Sequence, residues 1–202
     1  PNPLPSDVKT LSNNKLLMQC AEMQIENIRR TVEFISDDVA SKSVEMLLSA
    51  KKVYITGLRS SLCVAHCLNE RLNRIGVASE ICVPESGQLV RTVRGMDSDC
   101  LLIAISFPRY PRRVLEIMKA AQANNAKVLA ITDGLSSPLA TVADLFIPCS
   151  YAALSFHSSA VGADFVAEYL VTAVSLADPQ RAKHEFEAIG KIVSSFNANI
   201  LK

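Results

Sequence analysis

Residues 52–61, Lys-Val-Tyr-Ile-Thr-Gly-Leu-Arg-Ser-Ser, are the stretch that decides the fold of this chain. Residues 53–56 are β-branched or aromatic and show no polar–apolar alternation, which is typical of a strand buried on both faces of a parallel sheet. Gly57 ends the run and permits a tight turn because it has no Cβ. Ser60 and Ser61 follow where the next helix begins, so their hydroxyls can cap that helix or bind an anion that meets its free N–H groups. The stretch therefore predicts a site for a small anionic ligand.

The composition of the chain narrows its class. The 202 residues are 49% hydrophobic and carry a formal net charge of +1. These values suit one α/β domain with a helical extension and argue against a wide electrostatic surface for nucleic acid. No apolar run is long enough to cross a bilayer, and no signal peptide is visible. Several of the six cysteines lie within apolar patterns, so we expect reduced thiols and a cytoplasmic location.

Strand and helix patterns alternate after the opening strand. Short apolar runs predict four further strands, near residues 78–83, 100–107, 126–132 and 144–149. The second of these runs is the most apolar and is expected at the centre of the sheet. Stripes with helical spacing separate the runs, and Ser137-Pro138 is typical of a helix start. This alternation predicts a three-layer αβα sandwich with a five-stranded parallel sheet.

The amino-terminal quarter precedes every predicted strand. We expect residues 1–49 to form an arm and linker helices, and residues 50–202 to form the ligand-binding domain. Apolar residues recur at steps of three and four over residues 16–35, which predicts one stripe on a helix. Asp37 or Asp38 can cap a second helix. Both helices are expected on the outside of the sheet or on a second subunit.

Polar residues follow the ends of several predicted strands. Ligands of parallel sheets bind beyond the carboxyl ends of the strands, where the winding direction changes. Ser106 ends a buried strand, where a hydroxyl without a partner is costly. Arg109 lies between strand and helix, a position suited to pairing with a phosphate or carboxylate. Arg112 and Arg113 are interpreted as surface charges in the first turn of the next helix.

Three segments together resemble the sugar isomerase (SIS) domain. They are Gly-x-x-Ser-Ser at residues 57–61, the strand ending Ile-Ser-Phe at residues 105–107, and Ala-Ile-Thr-Asp…Ser-Pro-Leu-Ala…Ala-Asp at residues 130–144. More narrowly, they resemble the effector domain of the RpiR family of transcription regulators. The resemblance extends over residues 22–177. It implies a five-stranded parallel sheet with SIS-type, flavodoxin-like winding, preceded by N-terminal helices.

The resemblance also implies a function. It implies that the domain binds a sugar phosphate or sugar acid at the rim, needs no other cofactor, and forms a homodimer or homotetramer. In the full-length regulators a helix-turn-helix domain precedes this one and contacts DNA. We expect that domain to be absent here, because nothing before Leu16 can form three helices. The chain is therefore interpreted as the ligand-sensing part of a sugar-responsive regulator, without enzymatic activity.

Two loops carry the resemblance and also depart from it. Ser61 matches the serine of the first family loop, and Ser106 matches the first serine of the second loop. Arg59 stands where the first loop often has glycine. In the second loop, usually Ser-x-Ser-Gly-x-Thr, the later Ser, Gly and Thr are replaced by Pro108, Arg109 and Pro111. These changes predict a different ligand, whose anion is held by Arg59 or Arg109.

The predicted ligand-binding residues follow from these arguments and from the polar segment before the long helix. They are Gly57, Arg59, Ser60, Ser61, Glu85, Ser106, Arg109 and Ser158. A stand-alone phosphosugar isomerase is the alternative, because Glu85 and His157 could supply an acid–base pair. An assembly module with a vestigial pocket is a third function class.

A zinc site is less favoured by the sequence. Cys63, His66 and Cys67 lie on one helical face, but no fourth ligand is evident. Buried cysteines with an exposed or hydrogen-bonded His66 are the preferred interpretation, and we expect no metal.

Overall fold

A computed structural model describes residues 12–83 and 87–196 of the chain. Helices and strands alternate along it after two opening helices. In chain order the elements are α1 (Asn13–Phe34), α2 (Asp37–Ser49), β1 (Lys52–Gly57), α3 (Ser60–Arg74), β2 (Ser79–Ile81), α4 (Leu89–Arg94), β3 (Cys100–Ile105), α5 (Arg112–Ala123), β4 (Lys127–Thr132), α6 (Pro138–Val142), β5 (Leu145–Pro148), α7 (Val161–Ala177) and α8 (Pro179–Ser195).

The five strands form one parallel sheet in the order β2-β1-β3-β4-β5. The prediction of a five-stranded parallel sheet is confirmed, and β3 occupies the predicted centre. The chain first adds β2 on one side of β1 and then places every later strand on the other side. The winding direction therefore changes between β1 and β3, where Gly57 pairs with Ile105 in the register.

Side chains of the central strands alternate between two apolar cores. Val53 and Ile55 of β1 pack into one core with α2, α3 and α7. Tyr54 of the same strand packs into the other core with α5 and α6. Helices cover both faces of the sheet, so the strands need no polar side, and the predicted three-layer sandwich is confirmed.

The apolar stripe predicted for α1 does not face the sheet domain. Leu17, Ile25 and Val32 are 67%, 49% and 52% exposed, whereas the buried residues of this helix are Asn27 and Thr31. The expectation that α1 lies outside the sheet is correct, because it packs against α7. Its inner face is nevertheless polar, because it contacts backbone groups of a loop described below.

The cap of α2 differs from the prediction. Ser36 is the N-cap, and its hydroxyl accepts a hydrogen bond from the backbone N–H of Val39. Asp37 and Asp38, predicted as alternative caps, lie in the first turn instead. Their negative charges are favourable there because they are attracted to the positive end of the helix dipole.

Helix α8 and its C-cap also expose large apolar side chains. Phe186 and Phe196 are 71% and 76% exposed. Among the described residues, no helix is both long and apolar enough to cross a membrane.

Candidate ligand-binding site

The loop between β1 and α3 is held by a close backbone contact. A Cβ on Gly57 would lie 2.8 Å from the carbonyl oxygen of Ser61, which is too close for any larger residue without a shift. The next turn places Arg59 at φ 59° and ψ −129°, a backbone conformation that side chains with a Cβ rarely adopt. Ser60 and Ser61 were predicted either to cap α3 or to bind an anion; α3 begins after Arg59 with no side-chain cap, so the first alternative is wrong.

The loop between β3 and α5 contains a second arginine in the left-handed region. Ser106 follows the strand, is 2% exposed, and donates its backbone N–H to the carbonyl of Ile131 at 3.1 Å. Arg109 has φ 74° and is exposed. Both arginines thus occupy positions where backbone geometry favours glycine, and strain of this kind concentrates at functional sites.

A tyrosine–carboxylate pair ties the second loop to the end of β4. The hydroxyl of Tyr110 lies 2.7 and 2.9 Å from the two carboxylate oxygens of Asp133. Thr132 donates to the same carboxylate at 3.1 Å and lies 2.7 Å from the hydroxyl of Ser137, which caps α6. Burial, together with the hydrogen bond to Asp133, raises the pKa of Tyr110 to about 12. The phenol therefore stays protonated and remains a donor at neutral pH.

A cavity of about 460 Å³ lies beside this second loop. One wall comes from the second loop and the other from the segment that joins β5 to α7. Its lining residues are Pro108, Arg109, Tyr151, Ala152, Ala153, Ser155, Phe156, His157 and Ser158. The guanidinium of Arg109 lies across the cavity, where Nη2 donates to the carbonyl of Phe156 at 3.4 Å. The cavity therefore offers a cation, hydroxyls and an imidazole in one space.

The structure brings some of the predicted site residues together. Arg109, Ser158 and His157 line the same cavity. Ser106 and the first loop, with Gly57, Arg59, Ser60 and Ser61, do not contribute to the lining. The first loop nevertheless leaves the sheet next to the second loop because β1 and β3 are neighbours. Glu85, predicted both as a ligand contact and as a catalytic group, lies outside the described residues.

Three residues near the strand ends escaped the sequence analysis. Tyr151 lines the cavity, and its ring packs on Phe107 with centroids 5.9 Å apart. The sequence placed Asp133 at the end of a strand, but it gave no indication that this carboxylate pairs with a tyrosine. Thr56 is fully buried, and its hydroxyl has no hydrogen-bond partner among the described residues. A threonine at the end of an apolar strand next to Gly57 was the available signal for Thr56, whereas no local pattern marks the pairing of Tyr110 with Asp133.

The cysteines of α3 are not buried. Cys63 and Cys67 are both exposed, so the prediction that they lie on the core face is wrong. The core face of this helix carries residues such as Val64 and Leu68 instead. Within residues 12–83 and 87–196, no group of three His, Cys, Asp or Glu side chains is arranged to hold a metal ion.

Comparison with known proteins places the fold and the family. One curated relative is an uncharacterized HTH-type transcriptional regulator from Clostridium perfringens, 26% identical over 152 residues. That match covers 75% of this chain and 53% of the relative, so the chain spans about half the length of the curated relative it matches.

Two solved structures share the fold. The sugar isomerase domain of the RpiR transcription factor from Sphaerobacter thermophilus has a TM-score of 0.85 and 24% identity, covering 88% of this chain and 99% of that one. The Vibrio vulnificus NanR protein complexed with ManNAc-6P has a TM-score of 0.79 and 20% identity, covering 96% of this chain and 73% of that one. The model of the SIS domain family matches residues 46–172. The chain therefore belongs to the SIS domain family.

Proposed function

We propose that this chain is the effector domain of a sugar-responsive transcription regulator and binds a sugar phosphate or sugar acid at the rim. The proposal extends to a cytoplasmic homo-oligomer in which residues 1–49 link the SIS domain to a DNA-binding domain. The proposal is supported by the structural similarity of this chain to two regulators, one of which was solved in complex with ManNAc-6P. The curated relative named as an HTH-type transcriptional regulator supports it as well.

The observation that carries the proposal is the pair of arginines on neighbouring loops. Arg59 and Arg109 both have positive φ, at 59° and 74°. A residue with a Cβ loses about 1–3 kcal/mol of stability in such a conformation. Each arginine therefore destabilises its loop relative to glycine. A guanidinium binds phosphate or carboxylate through paired N–H donors. A ligand with two anionic groups, such as a phosphorylated sugar acid, fits two arginines better than a neutral sugar does.

The buried hydroxyls at the rim complete the proposed site. Ser61 and Ser106 are 7% and 2% exposed and follow β1 and β3. The unpartnered hydroxyl of Thr56 belongs to the same end of β1. A sugar phosphate supplies several hydroxyl and phosphate oxygens that can accept hydrogen bonds from such hydroxyls, of which only that of Thr56 is both buried and without a partner among the described residues.

Catalysis is the less supported function. Aldose–ketose isomerisation needs a base that moves a proton between adjacent carbons. His157 lines the cavity and is the observation that favours an isomerase. It is exposed, and none of the described residues that line the cavity with it is a carboxylate or a second imidazole that could complete an acid–base pair. We therefore propose that the domain binds its ligand without turnover.

A thermal-shift screen tests the proposal. The panel contains ManNAc-6P, glucose 6-phosphate, 6-phosphogluconate and gluconate, with inorganic phosphate as the reference anion. We expect at least one sugar ligand to stabilise the protein more than phosphate does, because a ligand that binds only the folded state stabilises it by mass action. Arg109→Ala should weaken that ligand about tenfold or more, which corresponds to the loss of one charge-assisted hydrogen bond.

Arg112→Ala is the matched control. Its side chain is 91% exposed and pairs with Glu116 on the same helix, so ligand affinity should not change. A ligand bound equally well by the parent, Arg59→Ala and Arg109→Ala would contradict the proposed anion site. Measurable isomerase turnover that Glu85→Gln abolishes would establish the alternative function.

A further inference from the structure

A buried asparagine on α1 reaches the loop that lines the cavity. Asn27 is 1% exposed. Its side-chain amide donates to the carbonyl of Ala152 at 2.7 Å and to the side-chain carbonyl of Gln24 at 2.9 Å. Its own side-chain oxygen accepts from the hydroxyl of Ser150 at 2.8 Å and from the backbone N–H of Ala152 at 3.0 Å. All four hydrogen-bonding positions of this amide are therefore used, three of them by the loop.

Two neighbours on α1 extend the contact. The hydroxyl of Thr31, one turn further along the helix, accepts from the backbone N–H of Ser150 at 3.0 Å. The side-chain oxygen of Gln24, one turn earlier, accepts from the hydroxyl of Ser159 at 2.6 Å. We call Gln24, Asn27 and Thr31 the polar clamp. It binds both ends of the segment 150–159, the same segment that forms one wall of the cavity.

The contacts of the clamp match the observed position of α1 closely. A Cβ on Gly162 would lie 2.8 Å from the hydroxyl of Thr31 and would also collide with the carbonyl of Ser150, so α1, the loop and α7 pack closely together here. A shift of α1 by one turn would leave the buried groups of Ser150 and Ala152 without partners, at a cost for each. Buried polar contacts of this kind favour one register of a helix over its neighbours.

From this arrangement we propose that the polar clamp couples docking of α1 to occupancy of the rim cavity. The segment 150–159 is shared: its inner side binds α1, and its outer side carries Tyr151, Phe156 and His157 of the cavity wall. A ligand that fixes this wall also fixes the acceptors and donors that hold α1. By thermodynamic linkage, undocking of α1 weakens the ligand by the same factor. This inference rests on the proposed function and names the route by which that site acts on the linker helix.

Hydrogen–deuterium exchange of the whole chain tests the coupling. The probes are ManNAc-6P and 6-phosphogluconate, each added at a concentration that saturates its thermal shift. If one of these ligands binds, we expect it to slow hydrogen exchange of the α1 amides about fivefold or more. A factor of about five is the lower end of the coupling factors usual between two sites. In Asn27→Ala the ligand should still protect the cavity wall but no longer protect α1, and its affinity should fall although Asn27 lines no part of the cavity.

Asn14→Ala is the matched control, because Asn14 is an exposed asparagine on the same helix. It should retain both the protection of α1 and the ligand affinity. If a ligand binds and α1 exchange is unchanged in the parent, the coupling is refuted while the proposed function survives. Unchanged affinity in a folded Asn27→Ala variant would refute it as well.

A ligand-free measurement separates the two proposals if neither probe binds. Phe107→Ala removes the ring that packs on Tyr151 and so loosens the cavity wall without changing any residue of the polar clamp. Coupling predicts faster exchange in α1 for this variant, about fivefold or more. Phe146→Ala, which removes a half-buried ring of the other core, should leave α1 unchanged. Equal exchange of α1 in Phe107→Ala and the parent would refute the coupling independently of any ligand.

Discussion

The loops after β1 and β3 each contain an arginine with unusual backbone geometry, but different contacts fix the two loops. Each contains one arginine with positive φ, Arg59 in the first and Arg109 in the second. The first loop is fixed by its own backbone, since Gly57 leaves no space between β1 and the first turn of α3. The second loop is fixed from outside, by the bond of Tyr110 to Asp133 and by the contact of Arg109 with Phe156.

The difference indicates which of the two loops tolerates amino-acid substitutions more readily. A loop held by backbone contact within five residues tolerates few substitutions, but its geometry is set locally. A loop held by side chains from another strand and another segment can alter its composition if those partners remain. The second loop is also the one that departs more from the family pattern, since Pro108, Arg109 and Pro111 replace three residues.

Gly57→Ala should have the largest effect and tests the first half of the comparison. The added Cβ would lie 2.8 Å from the carbonyl oxygen of Ser61, so β1 and α3 must separate. We expect a loss of about 2–4 kcal/mol in the free energy of unfolding, measured by urea denaturation. Gly190→Ala, at a helical glycine with open space around it, should instead leave stability equal or higher. A neutral effect of Gly57→Ala would show that the first loop is not held by this contact.

Tyr110→Phe should have an intermediate effect and tests the second half. The change removes the hydroxyl that lies 2.7 Å from Asp133 and leaves the ring in place. We expect a loss of about 1–2 kcal/mol in the free energy of unfolding, as for a partly buried hydrogen bond to a charged group. Tyr169→Phe, in the other core, is the control for loss of a hydroxyl alone. Equal effects of the two variants would contradict the assigned role of Tyr110.

The same variant should change how stability depends on pH. The pKa of Tyr110 is raised from 10.0 to about 12 in the folded protein. The neutral phenol is the form that the fold favours, so its contribution to stability is present below pH 10 and is lost as the pH rises towards 12. The difference in free energy of unfolding between the parent and Tyr110→Phe should therefore shrink over this interval. A constant difference would contradict the pKa assignment.

Arg59→Gly should have the smallest effect, and its sign is reversed. Glycine adopts φ 59° and ψ −129° without the penalty that a Cβ brings. We expect a gain of about 1 kcal/mol in the free energy of unfolding, reduced somewhat by the greater freedom of glycine in the unfolded chain. Arg59→Ala keeps the Cβ and should show no such gain. If both variants are equally stable, the strain attributed to Arg59 is absent.

Much of the fold could be predicted because its signals are local. Apolar runs bounded by glycine, proline and polar residues predicted every strand, and alternation with helical stripes predicted the parallel sheet. The boundaries differ by a residue or two, as when the strand expected over residues 100–107 ends at Ile105. Ser137 and Pro138 start α6 as predicted, because a cap depends on residues two positions apart.

The incorrect predictions concern which face of a helix contacts segments that are distant in the sequence. The stripe of α1 was read correctly as helical, but periodicity cannot say which face meets the protein. Asn27 turns inward because the loop after β5 presents unpaired backbone groups that an apolar face could not satisfy. Cys63 and Cys67 were expected on the core face but are exposed, since hydrophobic character alone does not determine which face of a helix is buried.

The sequence by itself determined the order of the elements, the glycine turn after β1 and the presence of arginines where the family has glycine, because each depends on a few consecutive residues. Only the tertiary structure decided that Tyr110 meets Asp133, that Arg109 faces a wall built some 47 residues later, and that a polar helix face holds this wall. Those contacts join segments far apart in the chain, and their partners are chosen by the space that the packed sheet and helices leave between them.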